Sequence, residues 1–429
     1  MAGESFADLI EPFSRRGVDL GLDRLQAALA ELGHPERRFA AVQVAGTNGK
    51  GSIATLVHRS LLAAGIRAGL YTSPHLVCWT ERIRIGAEAV APAALRRHLL
   101  HARAVAERGG LTPFELVTAA AFLAFAGAGC ELVVLEVGLG GRLDATTCHP
   151  ARSVIGFASV GLDHREFLGP DLASIAAEKA GVLRAGAIAV SAPQAPVVAA
   201  VLEERARRVA AELRWVDPLP QAADGALQIA GRWCACGVAG VVQAANGAVA
   251  LGMLRALAER GWPIDEAAIA AGFAAARWPG RLQQVSWRGT PLLLDGAHNP
   301  PAAAALRREL DTHPGRHGLA PGRRHWVLGV LANKQAAELL QALLAPADRA
   351  WIVPVPGHAS WSGPDLAAAL PAQAHQLHQA EDLDEAIALA AASAGGQRLV
   401  VAGSLYLIGA VLSQGLQRGE DPGDGVPVS

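Results

Sequence analysis

The chain has 429 residues, of which 51% are hydrophobic and 18% charged, and its formal net charge is −1. The length allows more than one domain with a substantial core, and the composition is typical of a well-packed α/β protein. The near-zero charge provides no overall field that would favour nucleic acid or an anionic membrane as a partner.

Two further features exclude export and membrane insertion. Residues 1–20 carry Glu4, Asp8 and Glu11 without a long apolar run, which argues against a secretory signal. The longest apolar run, over 119–130, is too short to span a bilayer and indicates a buried helix. The five cysteines are scattered with no Cys-x-x-Cys pair, so neither a zinc site nor a disulfide framework is expected. We therefore predict a cytoplasmic protein.

The first strong motif in chain order is a glycine-rich turn. After a predicted helix over 21–33, an apolar run over 39–44 leads into Gly46-Thr47-Asn48-Gly49-Lys50-Gly51-Ser52, and a helical pattern follows. This order forms a phosphate cradle, because backbone N–H groups and a helix N-terminus face the anion. Lys50 then reaches the outer phosphates and the Ser52 hydroxyl binds Mg²⁺. An ordinary glycine-rich turn is the alternative, but it does not require Lys and Ser at these positions.

The next segments place polar groups after short strands and at a helix start. A strand over 66–71 runs into Thr72-Ser73-Pro74-His75, where Ser73 is a metal or substrate candidate and a plain turn is the alternative. Alternation over 80–85 predicts a strand, and a helix over 92–108 follows. Thr112 and Pro113 then begin an apolar helix that ends near residue 127, and Phe114 is either a core residue or a platform for a flat ligand.

An apolar run over 131–137 predicts a central parallel strand buried on both faces. Glu136 lies near its carboxyl end, where ligands bind in open α/β sheets. A carboxylate in such apolar surroundings is costly unless it is paired or binds a metal. Glu136 is therefore a candidate Mg²⁺ ligand, with a buried salt bridge as the alternative. Asp144, in the glycine-rich loop that follows, is a candidate hydrogen-bond acceptor for a ring with N–H groups, or a turn residue.

The rest of the chain continues the α/β pattern. A strand over 153–159 delivers Leu162-Asp163-His164 to the same edge. Further elements are predicted as a helix from Asp171, a strand over 187–190, helices over 196–213, 243–260 and 265–275, a small β element over 227–237, and strands over 291–294, 326–331, 351–355 and 399–402.

Trp278-Pro279-Gly280-Arg281 interrupts this pattern and places a domain boundary near residue 288. We predict an α/β fold with a P-loop-type ATPase domain and a mostly parallel sheet over 1–288, and a smaller C-terminal Rossmann-like domain over 289–418. The Gly-, Pro- and Asp-rich tail over 419–429 is expected to be disordered.

The lysines are a compositional signal of their own. Lys and Arg together number 38, yet only Lys50, Lys179 and Lys334 are lysine. In a chain so biased towards Arg, a retained Lys is a candidate for chemistry that guanidinium cannot perform, such as reaction as a neutral amine. Chance retention at solvated positions is the alternative for Lys179 and Lys334.

Taken together, the motifs resemble those of the folylpolyglutamate synthase and dihydrofolate synthase family within the Mur ligase superfamily. The resemblance covers nearly the whole chain and rests on the order of the motifs, since any one alone would be weak. It is carried by the cradle, Thr72-Ser73-Pro74-His75-Leu76, residues 136–146, Leu162-Asp163-His164, Glu178-Lys179-Ala180-Gly181, Pro279-Gly280-Arg281, residues 295–300 and Gly403-Ser404-Leu405-Tyr406-Leu407.

The resemblance implies a reaction and its cofactors. ATP phosphorylates a carboxylate of the pterin substrate, and the amine of L-glutamate attacks the acyl phosphate. Two Mg²⁺ ions offset the repulsion between the anions, with ATP as co-substrate and a monovalent cation as a further candidate. The implied metal-site ligands are Ser52, Ser73, Glu136, His164 and a carbamylated Lys179, although His is not the hard oxygen ligand that Mg²⁺ prefers.

The resemblance also assigns the substrates and the residues that bind them. It implies ATP, L-glutamate, and dihydropteroate or folates as partners, and a monomer. Besides the cradle, it assigns nucleotide contacts to Asn246, Arg281, Asp295 and His298, and counts Lys50, Lys179, His164, Asp295 and His298 as catalytic. It assigns the pterin or substrate pocket to Pro74, Phe114, Asp144 and Ser404, with Lys334 near glutamate or phosphate.

Some positions depart from the family pattern, and other functions stay open. Thr147 stands where the family often has Asn, Asn333-Lys334-Gln335 replaces Asp-Lys-Asp, and residues 216–240 form a short segment. A peptidoglycan-type Mur ligase would need an additional domain before Gly46. A P-loop switch NTPase would require neither Lys179 nor residues 295–300. Within the family, we predict both dihydrofolate synthase and folylpolyglutamate synthase activity, with a monofunctional folylpolyglutamate synthase as the alternative.

Overall fold

The computed structural model describes residues 6–417, so the tail predicted over 419–429 lies outside the described residues. Its strands form an eight-stranded sheet, a two-stranded hairpin and a six-stranded sheet. The first sheet contains β1 (Ala40–Ala45), β2 (Ala68–Tyr71), β3 (Ile83–Ile85), β4 (Glu88–Ala89), β5 (Leu132–Glu136), β6 (Arg152–Phe157), β7 (Ile188–Ser191) and β8 (Glu212–Trp215). The hairpin is β9 (Leu227–Ile229) with β10 (Arg232–Cys234). The second sheet contains β11 (Gln283–Trp287), β12 (Thr290–Leu294), β13 (His325–Leu328), β14 (Arg349–Ile352), β15 (Leu377–Gln379) and β16 (Leu399–Ala402).

The helices cover the faces of both sheets. They are α1 (Ala7–Ile10), α2 (Asp23–Glu31), α3 (Lys50–Ala63), α4 (Pro92–Gly109), α5 (Pro113–Gly127), α6 (Arg165–Leu168), α7 (Leu172–Ala180), α8 (Pro196–Val209), α9 (Gln243–Glu259), α10 (Glu266–Ala275), α11 (Pro300–Thr312), α12 (Ala336–Leu343), α13 (Gly363–Ala369), α14 (Leu383–Ala394) and α15 (Leu405–Gln417). Short 3₁₀ turns also occur, among them Trp79–Arg82 before β3. In the described part of the chain, no helix combines the length and the hydropathy that crossing a membrane requires.

The first sheet has the order β4-β3-β2-β5-β1-β6-β7-β8. Only β3 and β4 run antiparallel to their neighbours, while the pairs from β2 to β8 are parallel. The central strands are apolar and buried along their length because helices cover both faces. The carboxyl ends of β2, β5, β1 and β6 therefore meet at one edge, as predicted.

The second sheet has the order β11-β12-β16-β13-β14-β15. It is parallel except for the β11–β12 hairpin. Together the two sheets confirm the predicted α/β class, with a mostly parallel first sheet and a smaller Rossmann-like sheet. Because Gln283–Trp287 already pairs within the second sheet, that sheet begins before the boundary predicted near residue 288. The division into 1–288 and 289–418 stays a prediction.

Local signals explain several element boundaries. Thr112 caps α5 as predicted, since its hydroxyl accepts a hydrogen bond from the Glu115 N–H at 3.3 Å and the Glu115 carboxylate accepts from the Thr112 N–H at 2.7 Å. One helix prediction was too long: α8 ends at Val209, and Ala210 in the left-handed region leads into β8. There, tertiary pairing with β7 outweighed the helical pattern.

Candidate active site

A cavity of about 550 Å³ lies at the carboxyl edges of the two sheets. Its walls come from the loops after β1, β2, β5 and β6 of the first sheet and from loops after β12, β13 and β16 of the second. This is the edge where ligands bind in open parallel sheets. Each of the seven cradle residues lines the cavity.

The cradle has the predicted strand, turn and helix. It begins after β1, and α3 starts at Lys50 with Gly49 in the left-handed region at φ 99°. A side chain at Gly49 would collide with the Asn246 amide, so this turn requires glycine. Lys50 Nζ donates to the Thr47 carbonyl at 3.1 Å. The Ser52 side chain lies in the first turn of α3 and is nearly buried.

Glu136 stands at the end of β5 with only 4% of its surface exposed. The Ser73 N–H donates to its carboxylate at 3.3 Å. Burial raises the pKa of Glu136 to about 7, against the opposing charge of Lys50. A buried carboxylate held by one long backbone hydrogen bond has spare acceptor capacity, and Glu136 lines the same cavity as the cradle. This favours the predicted role as a cation ligand over that of a salt-bridge partner.

Lys179 is on α7 and is also 4% exposed. Its Nζ donates to the Gly46 carbonyl at 2.9 Å, so the side chain reaches the start of the cradle from another helix. Burial, reinforced by the charge of Lys50, lowers the pKa of Lys179 to about 7. The alternative of chance retention at a solvated position does not fit this burial, and the neighbouring Glu178 pairs with Arg142 and not with Lys179.

The donors fit a divalent cation bound together with phosphate. Within residues 6–417, no group of three or more His, Cys, Asp or Glu side chains is close enough to hold a metal by itself. A site here would therefore combine the Ser52 hydroxyl and the Glu136 carboxylate with phosphate oxygens and water, as is usual for Mg²⁺. Ser73 and His164 line the same cavity. The His164 backbone is left-handed at φ 51°, and burial lowers the pKa of its ring to about 4.

Five side chains form what we call the interface cluster: Asn48, Asp163, His298, Asn299 and Lys334. Lys334 Nζ donates to Asp163 at 2.6 Å, Asn299 Nδ2 donates to Asp163 at 2.9 Å, and His298 Nε2 lies 3.7 Å from it. Asn48 and Asn299 exchange amide hydrogen bonds at 3.0 and 3.1 Å. Although burial opposes the shift, His298 and the charges of His164 and Lys334 hold the pKa of Asp163 well below its ordinary value. The cluster ties the cradle edge to the second sheet.

The predicted nucleotide residues do not all reach the cavity. Arg281 and His298 line it, whereas Asn246 and Asp295 are absent from the lining of its described part. Asn246 lies beneath Gly49. Asp295 accepts hydrogen bonds from the Ala297 and Leu282 N–H groups and lies 3.7 Å from Arg281. In this geometry Asp295 holds the Arg281 side chain in position and stabilises the turn over residues 295–297.

The four predicted pterin residues all border the cavity. Pro74, Phe114, Asp144 and Ser404 all line it, and the rings of Phe114 and Tyr71 lie 6.0 Å apart. Asp144 is 2% exposed. Its carboxylate already accepts hydrogen bonds from the N–H groups of residues 138, 139 and 146 and from the Thr146 hydroxyl. Any bond from a ligand would therefore be an additional one.

Sequence reasoning missed several residues of this site. Asp163 was part of a motif, yet only its neighbour His164 received a role. Asn299 had a usable signal, because an Asn before two prolines is a helix N-cap, and its side chain does cap α11. The segment over 17–21 also lines the cavity, and no sequence pattern had indicated this.

Comparisons with known proteins agree with this architecture. Residues 280–414 match the family model "Dihydrofolate synthetase, C-terminal domain". The chain is 34% identical over 363 residues to the Escherichia coli dihydrofolate synthase/folylpolyglutamate synthase, covering 82% of each chain. The Mycobacterium tuberculosis folylpolyglutamate synthase, solved with ADP and AMPPCP, superposes with a TM-score of 0.86 at 30% identity over 98% of this chain and 100% of the other. A Yersinia pestis bifunctional enzyme, solved with AMPPNP and a Mn ion, superposes with a TM-score of 0.81 at 31% identity over 96% and 98% of the two chains.

The fold and the site define a protein of the Mur ligase type, in which a phosphate cradle on one α/β sheet faces the binding edge of a second. The matched length and identity narrow this further: the chain belongs to the folylpolyglutamate synthase and dihydrofolate synthase family.

Proposed function

We propose that this chain is an ATP-dependent ligase that joins L-glutamate to dihydropteroate and to folate glutamates, forming an amide with release of ADP and phosphate. The observation that carries the proposal is the set of residues that line the cavity. It brings the cradle, Glu136 and Lys179 of the first sheet together with Arg281, His298 and Ser404 of the second. The named activities of the matched relatives agree with this chemistry.

The reaction must bring two anions together. The acceptor carboxylate attacks the γ-phosphate of ATP, the β–γ bond breaks, and the glutamate amine then displaces phosphate from the acyl phosphate. Lys50 and the N–H groups of the cradle hold the phosphates in line. A bound divalent cation on Ser52 and Glu136 supplies charge neutralisation at this point. Burial between the two sheets keeps water away from the acyl phosphate.

We propose two Mg²⁺ ions, with Ser73, His164 and a carbamylated Lys179 completing their ligands, and a monovalent cation as a further candidate. The low pKa of Lys179, about 7, supports carbamylation because CO₂ reacts with the neutral amine.

We assign the substrate contacts to residues that line the cavity or lie directly behind its wall. Arg281 and His298 contact the nucleotide, while Asn246 and Asp295 support it from behind the cavity wall. Phe114 stacks on the pterin, and Pro74, Asp144 and Ser404 complete the substrate pocket. A monomer in the cytoplasm, with neither nucleic acid nor membrane as a partner, is the accompanying prediction.

The test is ADP release with MgATP and L-glutamate, in the presence of dihydropteroate, tetrahydrofolate or no acceptor. Turnover with both acceptors, accompanied by a product heavier by one glutamate, is the expected result. Turnover with tetrahydrofolate alone would leave a monofunctional folylpolyglutamate synthase. ATP hydrolysis at a rate that depends neither on the acceptors nor on L-glutamate would refute the ligase function and favour a switch NTPase.

A further inference from the structure

One cation on the cavity wall has no role in the chemistry above. Arg82 is the last residue of the 3₁₀ turn Trp79–Arg82, directly before β3, and it lines the cavity. Its Nε donates to His75 Nδ1 at 2.9 Å. Its guanidinium carbon lies 4.3 Å from the centre of the Trp79 ring, and the rings of Trp79 and His75 lie 4.6 Å apart. The guanidinium is therefore braced on two sides.

The two side chains that contact the Arg82 guanidinium, His75 and Trp79, are both uncharged. Burial, together with the charge of Arg82, lowers the pKa of His75 to about 3, so its ring is uncharged at neutral pH and accepts through Nδ1. The adjacent Glu81 is engaged elsewhere, because its carboxylate accepts hydrogen bonds at 2.7 to 2.8 Å from the N–H groups of residues 76, 77 and 78. Within the described residues, Arg82 has no carboxylate within salt-bridge distance, and its side-chain hydrogen bond is made by Nε, so its two Nη groups have no protein acceptor.

The other Lys and Arg side chains that line the cavity have protein partners, and among them Arg84 Nη1 donates to the Ala87 carbonyl at 3.3 Å. Lys50 and Lys179 donate to backbone carbonyls of the cradle. Lys334 is paired with Asp163 at 2.6 Å, and Arg281 lies 3.7 Å from Asp295. Burial lowers the pKa of Arg82 and so disfavours the charged guanidinium. An anionic ligand at its Nη edge, which lines the cavity, would offset this cost.

We infer that Arg82 binds the α-carboxylate of a glutamyl group through its two Nη atoms, with His75 and Trp79 as positioning residues. This rests on the proposed function and identifies a specificity residue within it. A planar fork of N–H groups matches a carboxylate in a bidentate manner, which an ammonium group cannot do. Ser404 and Tyr406 of the second sheet line the same cavity, so the bound group would lie between the sheets.

Two substrates carry such a carboxylate. One is the incoming L-glutamate, and the other is a folate acceptor, which keeps the α-carboxylate of its terminal glutamate while the γ-carboxylate reacts. Dihydropteroate has only the aryl carboxylate that reacts. Comparing the two acceptors therefore shows whether the α-carboxylate bound by Arg82 belongs to the folate acceptor or to the incoming L-glutamate.

The experiment measures kcat and KM of the wild type and of Arg82→Gln for L-glutamate and for each acceptor. The loss of a charge-assisted pair is expected to raise one KM by roughly tenfold to a hundredfold with a smaller change in kcat. If Arg82 contacts the acceptor, the KM for tetrahydrofolate rises and that for dihydropteroate does not. If it contacts L-glutamate, the glutamate KM rises with either acceptor.

Two further variants control for structure. Arg82→Lys keeps the charge without the fork and should give an intermediate KM. Arg67→Gln removes a largely exposed guanidinium that pairs with Glu131, and it should behave like the wild type. Thermal melting and ADP binding show whether each variant is folded.

The outcomes separate this inference from the proposed function. An active wild type with both KM values unchanged in folded Arg82→Gln would overturn the role of Arg82 and leave the ligase function intact. A fall in kcat alone would also overturn it, because the residue would then act on the chemical step. A wild type without glutamate-dependent turnover would overturn both.

Discussion

Replacing Lys179 by alanine is the most informative single perturbation of this site. If Lys179 is carbamylated, its neutral amine attacks CO₂, a proton is lost, and the product carries a carboxylate beside the cradle. The variant removes this carboxylate and with it a ligand for a divalent cation. We expect kcat to fall on the order of a hundredfold, since the loss of metal-site support has effects of this size. Lys179→Arg should fall equally, because guanidinium keeps the positive charge but does not react with CO₂.

The lowered pKa of Lys179 determines what fraction of its amine is neutral and therefore able to react with CO₂. At pH 7 a lysine with the ordinary pKa of 10.5 is neutral in roughly one molecule in three thousand, whereas a pKa of about 7 makes half of the amines neutral. The fraction able to react is thus on the order of a thousandfold larger. The sign of the pH dependence follows from the lowered pKa: protonation below pH 7 removes the reactive amine, and at pH 6 only about one tenth remains neutral. Carbamate formation should therefore decline between pH 8 and pH 6.

Carbon-13 NMR of the protein in ¹³C-bicarbonate measures the modification directly, and ADP release measures its consequence. The wild type should show one carbamate resonance that both variants lack and that weakens towards pH 6. Acetate or propionate should partly restore turnover in Lys179→Ala by supplying the missing carboxylate. Wild-type turnover without any carbamate signal, unchanged in CO₂-depleted buffer, would refute the reasoning even if the alanine variant were inactive.

Two more predictions concern residues of the same cavity. Glu136→Gln should raise the Mg²⁺ concentration needed for half-maximal ADP release by about tenfold or more, because an amide is a weaker ligand for a hard cation; an unchanged Mg²⁺ dependence would exclude Glu136 as a ligand. Asp163→Asn and Lys334→Gln, combined in a double-mutant cycle of urea unfolding, should show a coupling free energy of about 1 to 3 kcal/mol. Strictly additive effects would mean that the pair contributes nothing to joining the two sheets.

Local sequence signals accounted for much of the fold. The run Leu132–Leu135 is apolar throughout because β5 is buried on both faces, and the Thr112 cap depends only on neighbouring residues. Elements defined by distant partners escaped prediction. The short strands β8 and β15 are held by pairing with β7 and β14 rather than by their own composition, and helix propensity extended α8 too far in the predicted pattern.

The candidate site likewise contains residues that the local sequence could identify and residues whose role depends on distant parts of the chain. Residues within one motif, such as Lys50 and Ser52, could be assigned because the chemistry of the cradle is contained in seven consecutive positions. Arg82 gave no signal, because an arginine in an alternating segment is normally solvated. Its significance depends on Glu81 being engaged by backbone N–H groups and on His75 being neutral. Neither condition is visible without coordinates.

The interface cluster shows why the site forms only when the two sheets are in contact. Asp163 and Lys334 are separated by 171 positions in the chain, yet they form a pair 2.6 Å long beside the cradle. The pair forms only when the second sheet approaches the first, because each sheet supplies one partner. Assembly of the cavity is thereby linked to a charge interaction that water would weaken in an open arrangement. The same arrangement brings His298 and Asn299 to Asp163, so the contacts that join the two sheets also complete the walls of the cavity in which the proposed acyl phosphate would be shielded from water.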